Sequence, residues 1–348
     1  MKKKHVIIPI FVPHKGCPHD CIFCNQKRIS GQIEEMTAEK IKSIVDSYLL
    51  TAPNGAFIEI AFYGGSFTGI RKEEQLSFLE VANNYLKDEK INSIRLSTRP
   101  DYINGEILEY LKEYNVGTIE LGAQSFDKDV LDLSFRGHSP EDIITSSLLI
   151  KQYGFNLGIQ TMIGLPGDSR EKDLYTAEKT ILLKPEIVRI YPTLVIRGTY
   201  LEKLYEKGEY VPLTLEAAVD ICSELLEIYN SNGINVIRIG LQPTDNISPD
   251  GDVIAGPFHP AIRQLVESRV VLKKIEKSII QEKLAGENEL IIRTGEKNIS
   301  YVVGQKRGNI DHIKNNFGIK RIVLNIDKNL DDEIFIYKSN GNCWVKVQ

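Results

Sequence analysis

Short apolar runs rich in β-branched residues alternate with segments of helical period over the first two thirds of the chain. The runs are Val6–Val12, Phe57–Phe62, Ser93–Ser97, Gly117–Leu121, Leu157–Ile163 and Glu186–Tyr191, each predicting a strand. Between them, Ile41, Ile44, Val45, Tyr48 and Leu49 recur at helical spacing behind a candidate cap at Thr37. Asn104 opens a second such pattern, carrying Ile107, Leu108 and Leu111. Ser139-Pro140-Glu141-Asp142 supplies a cap, a first-turn proline and two acids for the positive end of a third. Another starts after Thr214, uses Ile221, Leu225, Leu226 and Tyr229, and stops at Gly233. Repeated βα units of this kind predict an α/β fold, a partial (β/α)6 TIM-like barrel over residues 1–245, because right-handed crossovers curl a parallel sheet.

The pattern changes after residue 245. Asp245 to Pro260 is rich in proline, glycine and aspartate and reads as a linker or ordered loop. A helix follows at Ala261 to Leu284, then strands at Leu290–Arg293 and Ser300–Val303, a helix at Ile310–Phe317, and strands at Arg321–Ile326, Ile334–Tyr337 and Cys343–Val347. Residues 246–348 thus predict a small C-terminal α+β extension.

Composition narrows the function classes. At 348 residues, 42% hydrophobic and 26% charged with net charge −4, the chain is neither a basic nucleic-acid arm nor a disordered tail. An RNA partner would need a local basic patch. Lys2, Lys3 and Lys4 precede an apolar run, but Pro9 breaks it and no small-residue cleavage site follows, so a buried first strand is the better reading than a signal peptide. No stretch suits a bilayer span, which predicts no membrane partner. Five cysteines, three of them clustered, fit a reducing cytoplasm.

Those three carry the chemistry. Cys17, Cys21 and Cys24 stand at C-x3-C-x2-C spacing, directly after the first strand, where a β/α barrel places reactive groups. Three thiolates on one loop can hold three corners of an iron–sulfur cube and leave the fourth iron open. The same spacing permits a zinc site completed by His14 or His19, and a zinc-clipped binding module follows from that alternative. Further motifs fall at the ends of the later strands: Tyr63-Gly64-Gly65-Ser66, Ser97-Thr98-Arg99-Pro100-Asp101, Gln124-Ser125, Arg136-Gly137-His138, Gly164-Leu165-Pro166-Gly167-Asp168 and Tyr191-Pro192. Each is ordinary turn chemistry taken singly. Together they gather at one end of a barrel.

With these motifs in view, the chain resembles radical S-adenosylmethionine (SAM) enzymes, and within them the catalytic subunit of the elongator complex and its bacterial relatives. The resemblance rests on the cysteine loop with FYGGSF (62–67), STRPD (97–101), ELGAQS (120–125), RGHS (136–139), MIGLPG (162–167) and IYPTLVIRGT (190–199). It implies that Cys17, Cys21 and Cys24 ligate a [4Fe–4S] cluster whose fourth iron takes the methionine end of SAM. It implies that Phe23 leans on the adenine, that Gly64, Gly65 and Ser66 receive the methionine amine, and that Arg136 meets its carboxylate. Gln124 and Ser125 would lie near the ribose and Gly164 to Gly167, Pro166 included, beside the adenine; Thr98 and Tyr191 are counted with these cofactor contacts.

Reductive cleavage of SAM would yield a 5′-deoxyadenosyl radical that abstracts hydrogen from a substrate, with an electron donor such as flavodoxin or ferredoxin as partner. RNA, tRNA foremost, is the substrate class the branch implies; a small molecule or peptide is the alternative. Two departures separate the chain from the elongator subunit. Its first two cysteines are closer together, and residues 246–348 are too few for an acetyltransferase domain and show no Arg-x-x-Gly-x-Gly/Ala loop. The extension offers instead Gly304-Gln305-Lys306-Arg307-Gly308, Lys314, Lys320 and Arg321 beside Tyr301 and Phe317, a basic patch or a solvated face. Cys222 and Cys343 read as packing residues.

Overall fold

The computed structural model describes residues 4–12, 21–25, 36–331, 333–338 and 344–347. The chain forms two compact units, one of Met1–Ala218 with Ile228–Phe258 and one of Val219–Glu227 with His259–Gln348.

The larger unit is a series of βα steps. In chain order these are β1 (His5–Val12), α1 (Ala38–Thr51), β2 (Phe57–Gly64), α2 (Lys72–Lys87), β3 (Ser93–Thr98), α3 (Gly105–Glu113), β4 (Thr118–Gln124), α4 (Lys128–Leu133), α5 (Pro140–Gln152), β5 (Asn156–Ile163), α6 (Arg170–Leu183) and β6 (Ile187–Pro192). The short strand β7 (Val195–Ile196), α7 (Tyr200–Glu206), α8 (Leu215–Ser231, whose middle Val219–Glu227 belongs to the smaller unit), β8 (Asn235–Ile239) and β9 (Val253–Ala255) follow. One parallel sheet runs in the order β1-β2-β3-β4-β5-β6-β8. The barrel therefore has the six strands expected from the sequence and a seventh, β8, that the pattern did not reveal. β7 and β9 pair antiparallel, giving the predicted 245–260 loop a short anchored strand.

Local chemistry sets the helix starts. Thr37, Asn104, Ser139 and Thr214 each accept a backbone N–H three residues on, and Ser139 and Asp142 form a reciprocal capping box. The helices bury Ile41, Val45, Leu79, Leu108, Leu111 and Ile150 against the sheet's aliphatic face. On the opposite face, polar side chains from successive strands meet. Glu120 on β4 accepts from Arg95 on β3 (2.9 Å), from Arg189 on β6 (2.6 and 3.0 Å) and from Gln160 on β5 (2.9 Å). Arg95 also bridges to Glu59 on β2 at 2.5 Å, and Arg189 donates to the Tyr63 hydroxyl at 2.6 Å. These charges are buried, so each needs its partner. Burial alone would raise the Glu120 carboxyl; the two guanidiniums overcome it and hold the group below the ordinary carboxylate range.

The smaller unit contains α9 (Ile262–Gln281), β10 (Glu289–Thr294), α10 (Ile299–Val303), α11 (Gly308–Phe317), β11 (Arg321–Ile326), β12 (Ile334–Lys338) and β13 (Val345–Lys346). Its sheet runs β11-β10-β12-β13, and Ile275, Ile279, Leu290, Ile292, Val302 and Ile313 form its core. The strand expected at Ser300–Val303 is a helix. Its Ser-Tyr-Val-Val sequence favours a strand locally, but the helical turn is what buries Val302, and packing overrides propensity. Among the described residues no helix is long and apolar enough to cross a membrane.

Candidate cofactor site

Cys21 and Cys24 lie on one tight turn, closed by a bond from the Cys24 N–H to the Cys21 carbonyl (2.9 Å). Cys21 is buried and Cys24 partly exposed. The turn is pinned by what lies between and after them. Ile22 is fully buried against Val195, Leu201 and Tyr210, with Phe23 packed on the same cluster. The Ile22 N–H donates to the Ser134 carbonyl (3.3 Å) and its carbonyl accepts from Leu201 N (2.8 Å). Asn25 donates to the carbonyls of Arg197 and Gly198 at 3.3 and 3.5 Å. The segment 190–199 thus acts as the seat of the cysteine turn. Cys17, the third expected ligand, lies outside the described residues, as do His14 and His19.

Arg136 reaches this turn from beyond α4. Its Nη1 donates to Cys21 Sγ at 3.1 Å and its Nη2 to the Gly122 carbonyl at 2.6 Å. The Gly122 carbonyl is available because β4 bulges: the β4–β5 register shifts between Gly122 and Gln124, and Gln124 adopts φ +67°. The next carbonyl, Ala123, accepts from His138 Nε2 at 3.2 Å. Burial first, then the Arg136 and Arg99 charges, push the His138 imidazolium down to about 3, leaving a neutral ring. Arg136 and His138 of one short motif therefore hold two successive carbonyls of the bulge.

A second chain of bonds ties in the neighbouring strand ends. The Thr98 hydroxyl meets those of Ser66 (2.7 Å) and Thr68 (2.5 Å), and Ser66 Oγ accepts from Arg99 N (3.1 Å). Arg99 Nη2 donates to the Arg136 carbonyl at 2.5 Å, and its Nε and Nη2 donate to the Asp101 carboxylate at 2.9 Å each. Gly64 needs its glycine: φ is +104°, and a Cβ there would stand 2.7 Å from the Val12 carbonyl oxygen. The Gly65 N–H donates to that same oxygen at 3.3 Å.

Ser66 and Thr98 are thus joined through Arg99 to Arg136, and by Arg136 to Cys21. Gly64 and Gly65 precede Ser66 at the end of β2, and Gln124 lies in the β4 bulge whose Gly122 carbonyl Arg136 holds. Ser125, next along, accepts from Asp127 N (3.1 Å) and meets the Thr176 hydroxyl at 3.3 Å. Gly164, Pro166, Gly167 and Tyr191 stand apart from this chain of bonds. The Gly164 N–H donates to Asp168 (2.9 Å) and its carbonyl accepts from the Tyr210 hydroxyl (2.7 Å). Burial pushes the Tyr191 hydroxyl up.

Residues outside the sequence expectation complete the frame. Asp173, buried beneath the β5 loop, hydrogen-bonds Asp168; burial and then the Asp168 charge push its carboxyl up to about 10, so it keeps its proton. Ile22 and the bonds of the Glu120 network were likewise outside that expectation, while Thr68 and His138 lie in strand-end motifs of the sequence without an assigned role. The available signal for the network was one charged residue inside each of four otherwise apolar strands.

Two family models cover most of this unit and run beyond it. The radical SAM superfamily matches residues 11–180, and the radical SAM C-terminal domain matches residues 185–271. The chain belongs to the radical SAM superfamily. It is similar to an uncharacterised protein of Methanocaldococcus jannaschii, 30% identical over 65% of this chain and 72% of that one. It is also similar to the tRNA uridine(34) acetyltransferase of Methanocaldococcus infernus, 28% identical over 62% of this chain. The chain spans 48% of that relative's length. Among solved structures, archaeal Methanocaldococcus infernus Elp3 with an N-terminal deletion shares the fold, with TM-score 0.62 and 22% identity over 81% of this chain and 64% of that one. The radical SAM superfamily membership makes the chain an enzyme, and the partial barrel expected from the sequence is the fold of its relatives.

Proposed function

We propose that Cys17, Cys21 and Cys24 hold a [4Fe–4S] cluster with one open iron for SAM, and that the enzyme modifies RNA, with tRNA as the first substrate class. The observation that carries the cofactor reading is the Cys21–Cys24 turn with Arg136 against its sulfur. Two buried polar atoms beside it, Arg136 Nε and Gln124 Oε1, have no hydrogen-bond partner among the described residues. One is a donor and the other an acceptor, which suits a polar ligand carrying both kinds of group. When bound, the pair supplies one-electron cleavage of the SAM sulfonium to methionine and a 5′-deoxyadenosyl radical that takes a hydrogen atom from substrate.

The protein's part is to hold and to exclude. Arg136 orients the cysteine turn and presents its remaining N–H to the methionine carboxylate. Gly64 and Gly65 bring bare backbone to the methionine amine, with Ser66 fixed by Thr98. Phe23 and Gly164 to Gly167 would hold the adenine and Gln124 and Ser125 the ribose, with Tyr191 at the end of β6. The aliphatic packing of Ile22 beside Cys21 keeps water from that thiol. The electron comes from a donor of the flavodoxin or ferredoxin type in a reducing compartment.

The tRNA reading is supported by the relatives named for tRNA uridine(34) chemistry. The chain spans about half of those relatives, and it is not assigned their acetyl transfer. The test is anaerobic turnover with SAM, reductant and bulk tRNA. Formation of 5′-deoxyadenosine that rises with tRNA, together with a changed nucleoside in its digest, supports the reading. Formation that is indifferent to tRNA contradicts the RNA substrate.

A further inference from the structure

The smaller unit carries a loop that the barrel chemistry leaves unused. β10 leads through α10 to Gly304-Gln305-Lys306-Arg307-Gly308, then through α11 to β11, and β10 and β11 pair in parallel from Glu289↔Arg321 to Thr294↔Ile326. Two helices joined by a glycine-flanked loop against one small sheet resemble the plan of KH-type RNA-binding modules, whose loop has two residues between its glycines where this one has three. In those, the loop clamps the sugar–phosphate backbone of about four nucleotides, and the bases lie along the adjoining helix and strand.

The loop here is built rather than slack. Gly304 has φ +75°, and a Cβ would stand 2.8 Å from the Asn309 backbone nitrogen. Asn309 is buried and donates from Nδ2 to the carbonyls of Ser268 (3.1 Å) and Tyr301 (2.9 Å). Lys306 and Arg307 then both take left-handed backbone (φ 50° and 67°), and their side chains are exposed.

Charge distinguishes this segment from the rest of the chain. Residues 300–321 hold five cations and one acid, Asp311, in a protein of net charge −4. Among the described residues Lys306, Arg307, Lys314 and Lys320 make no ion pair; those of this unit use Arg293, Lys297, Arg321, Lys328 and others. Next to the loop-bearing helices, β11 is the edge strand of its sheet. Ile322, Val323 and Leu324 on it are only partly buried and Ile326 is 50% exposed. A cationic loop in one small unit with an open, apolar strand edge, the two joined by the helix that follows the loop, matches unpaired nucleotides, whose phosphates and base faces are both accessible, better than a duplex.

We propose that the Gly304–Gly308 loop and the β11 edge bind single-stranded RNA, Lys306 and Arg307 taking phosphates. The choice of RNA over DNA rests on the substrate class proposed above; the single-strand clamp itself does not.

The test uses the full, cluster-loaded protein and a fluorescent single-stranded RNA of about ten nucleotides, with duplex RNA and single-stranded DNA of the same sequence as comparators. Single-stranded RNA is expected to bind tightest. The double variant Lys306→Asp, Arg307→Asp should weaken it by at least about tenfold and flatten its salt dependence. The same variant should form 5′-deoxyadenosine without RNA at the unaltered rate, which shows that it is folded and loaded. Unchanged RNA affinity in the double variant, or duplex bound as tightly as single strand, overturns the proposal; tighter DNA binding overturns the choice of RNA. If the unaltered protein holds RNA by this loop yet forms no 5′-deoxyadenosine, the cofactor reading fails and the RNA clamp stands.

Discussion

Arg136 and Cys21 are 115 positions apart, yet the arginine's Nη1 lies 3.1 Å from the cysteine sulfur while its Nη2 holds the Gly122 carbonyl. One planar fork therefore fixes the cysteine turn against the bulge of β4. Lysine carries a single ammonium and cannot span both acceptors with the same geometry. R136K is expected to fold and keep its iron but to bind SAM at least about tenfold more weakly. Equilibrium dialysis of the loaded protein checks this; equal affinity contradicts the role.

The buried His138 predicts an acid-side loss of stability. Its ring takes a proton only near pH 3 in the folded chain, against an ordinary value of 6.5. Between those values the unfolded state binds the extra proton. Stability is therefore complete above pH 6.5 and falls as pH drops toward 3, by about 1.4 kcal/mol per pH unit at most. His138→Gln keeps a donor for the Ala123 carbonyl and should flatten urea-unfolding midpoints between about pH 5 and 6.5. A variant with the same slope contradicts the assignment.

Asp173 predicts the opposite slope. The folded chain keeps its proton to about pH 10, whereas an unfolded aspartate loses it near 3.8. Its contribution is full below 3.8 and declines as pH rises between the two values. Asp173→Asn retains a donor for Asp168 and carries no proton to lose. It should be more stable than the parent at pH 8 by at least about 1 kcal/mol. Equal or lower stability in thermal unfolding at that pH contradicts the shared proton.

Glu120 balances Arg95 and Arg189 within the sheet's inner face. Glu120→Gln keeps the shape and removes the charge, leaving buried Arg95 with Glu59 and buried Arg189 with no ion-pair partner among the described residues. Breaking such a buried pair costs about 3–5 kcal/mol. A denaturation midpoint within error of the parent contradicts the network's structural weight.

The parts of this fold legible in sequence are those set by local chemistry. Ser139 and Asp142 announce a capping box because both bonds lie within four residues. The strands β1 to β6 announce themselves by short β-branched runs set between segments of helical period. β8 does not, since only Val236 and Ile239 of its five residues are buried and Arg238 interrupts them. The inner network is hidden for another reason. A lone Arg95 or Glu120 in a strand reads as a solvent-facing residue until closure of the sheet turns that face inward. The same holds for the site: spacing reveals the cysteines, while the Arg136–Cys21 bond and the seat provided by residues 190–199 exist only through tertiary contact. Residues 300–303 fail in the other direction, where β-forming side chains are recruited to a helix by the core that Val302 fills.

The central claim is most directly tested by anaerobic iron–sulfur reconstitution followed by EPR of the reduced protein with and without SAM. The account predicts roughly four irons per chain, a reduced-cluster signal that changes shape when SAM is added, and loss of both in Cys21→Ala. A colourless protein holding one zinc, or a cluster signal indifferent to SAM, contradicts it.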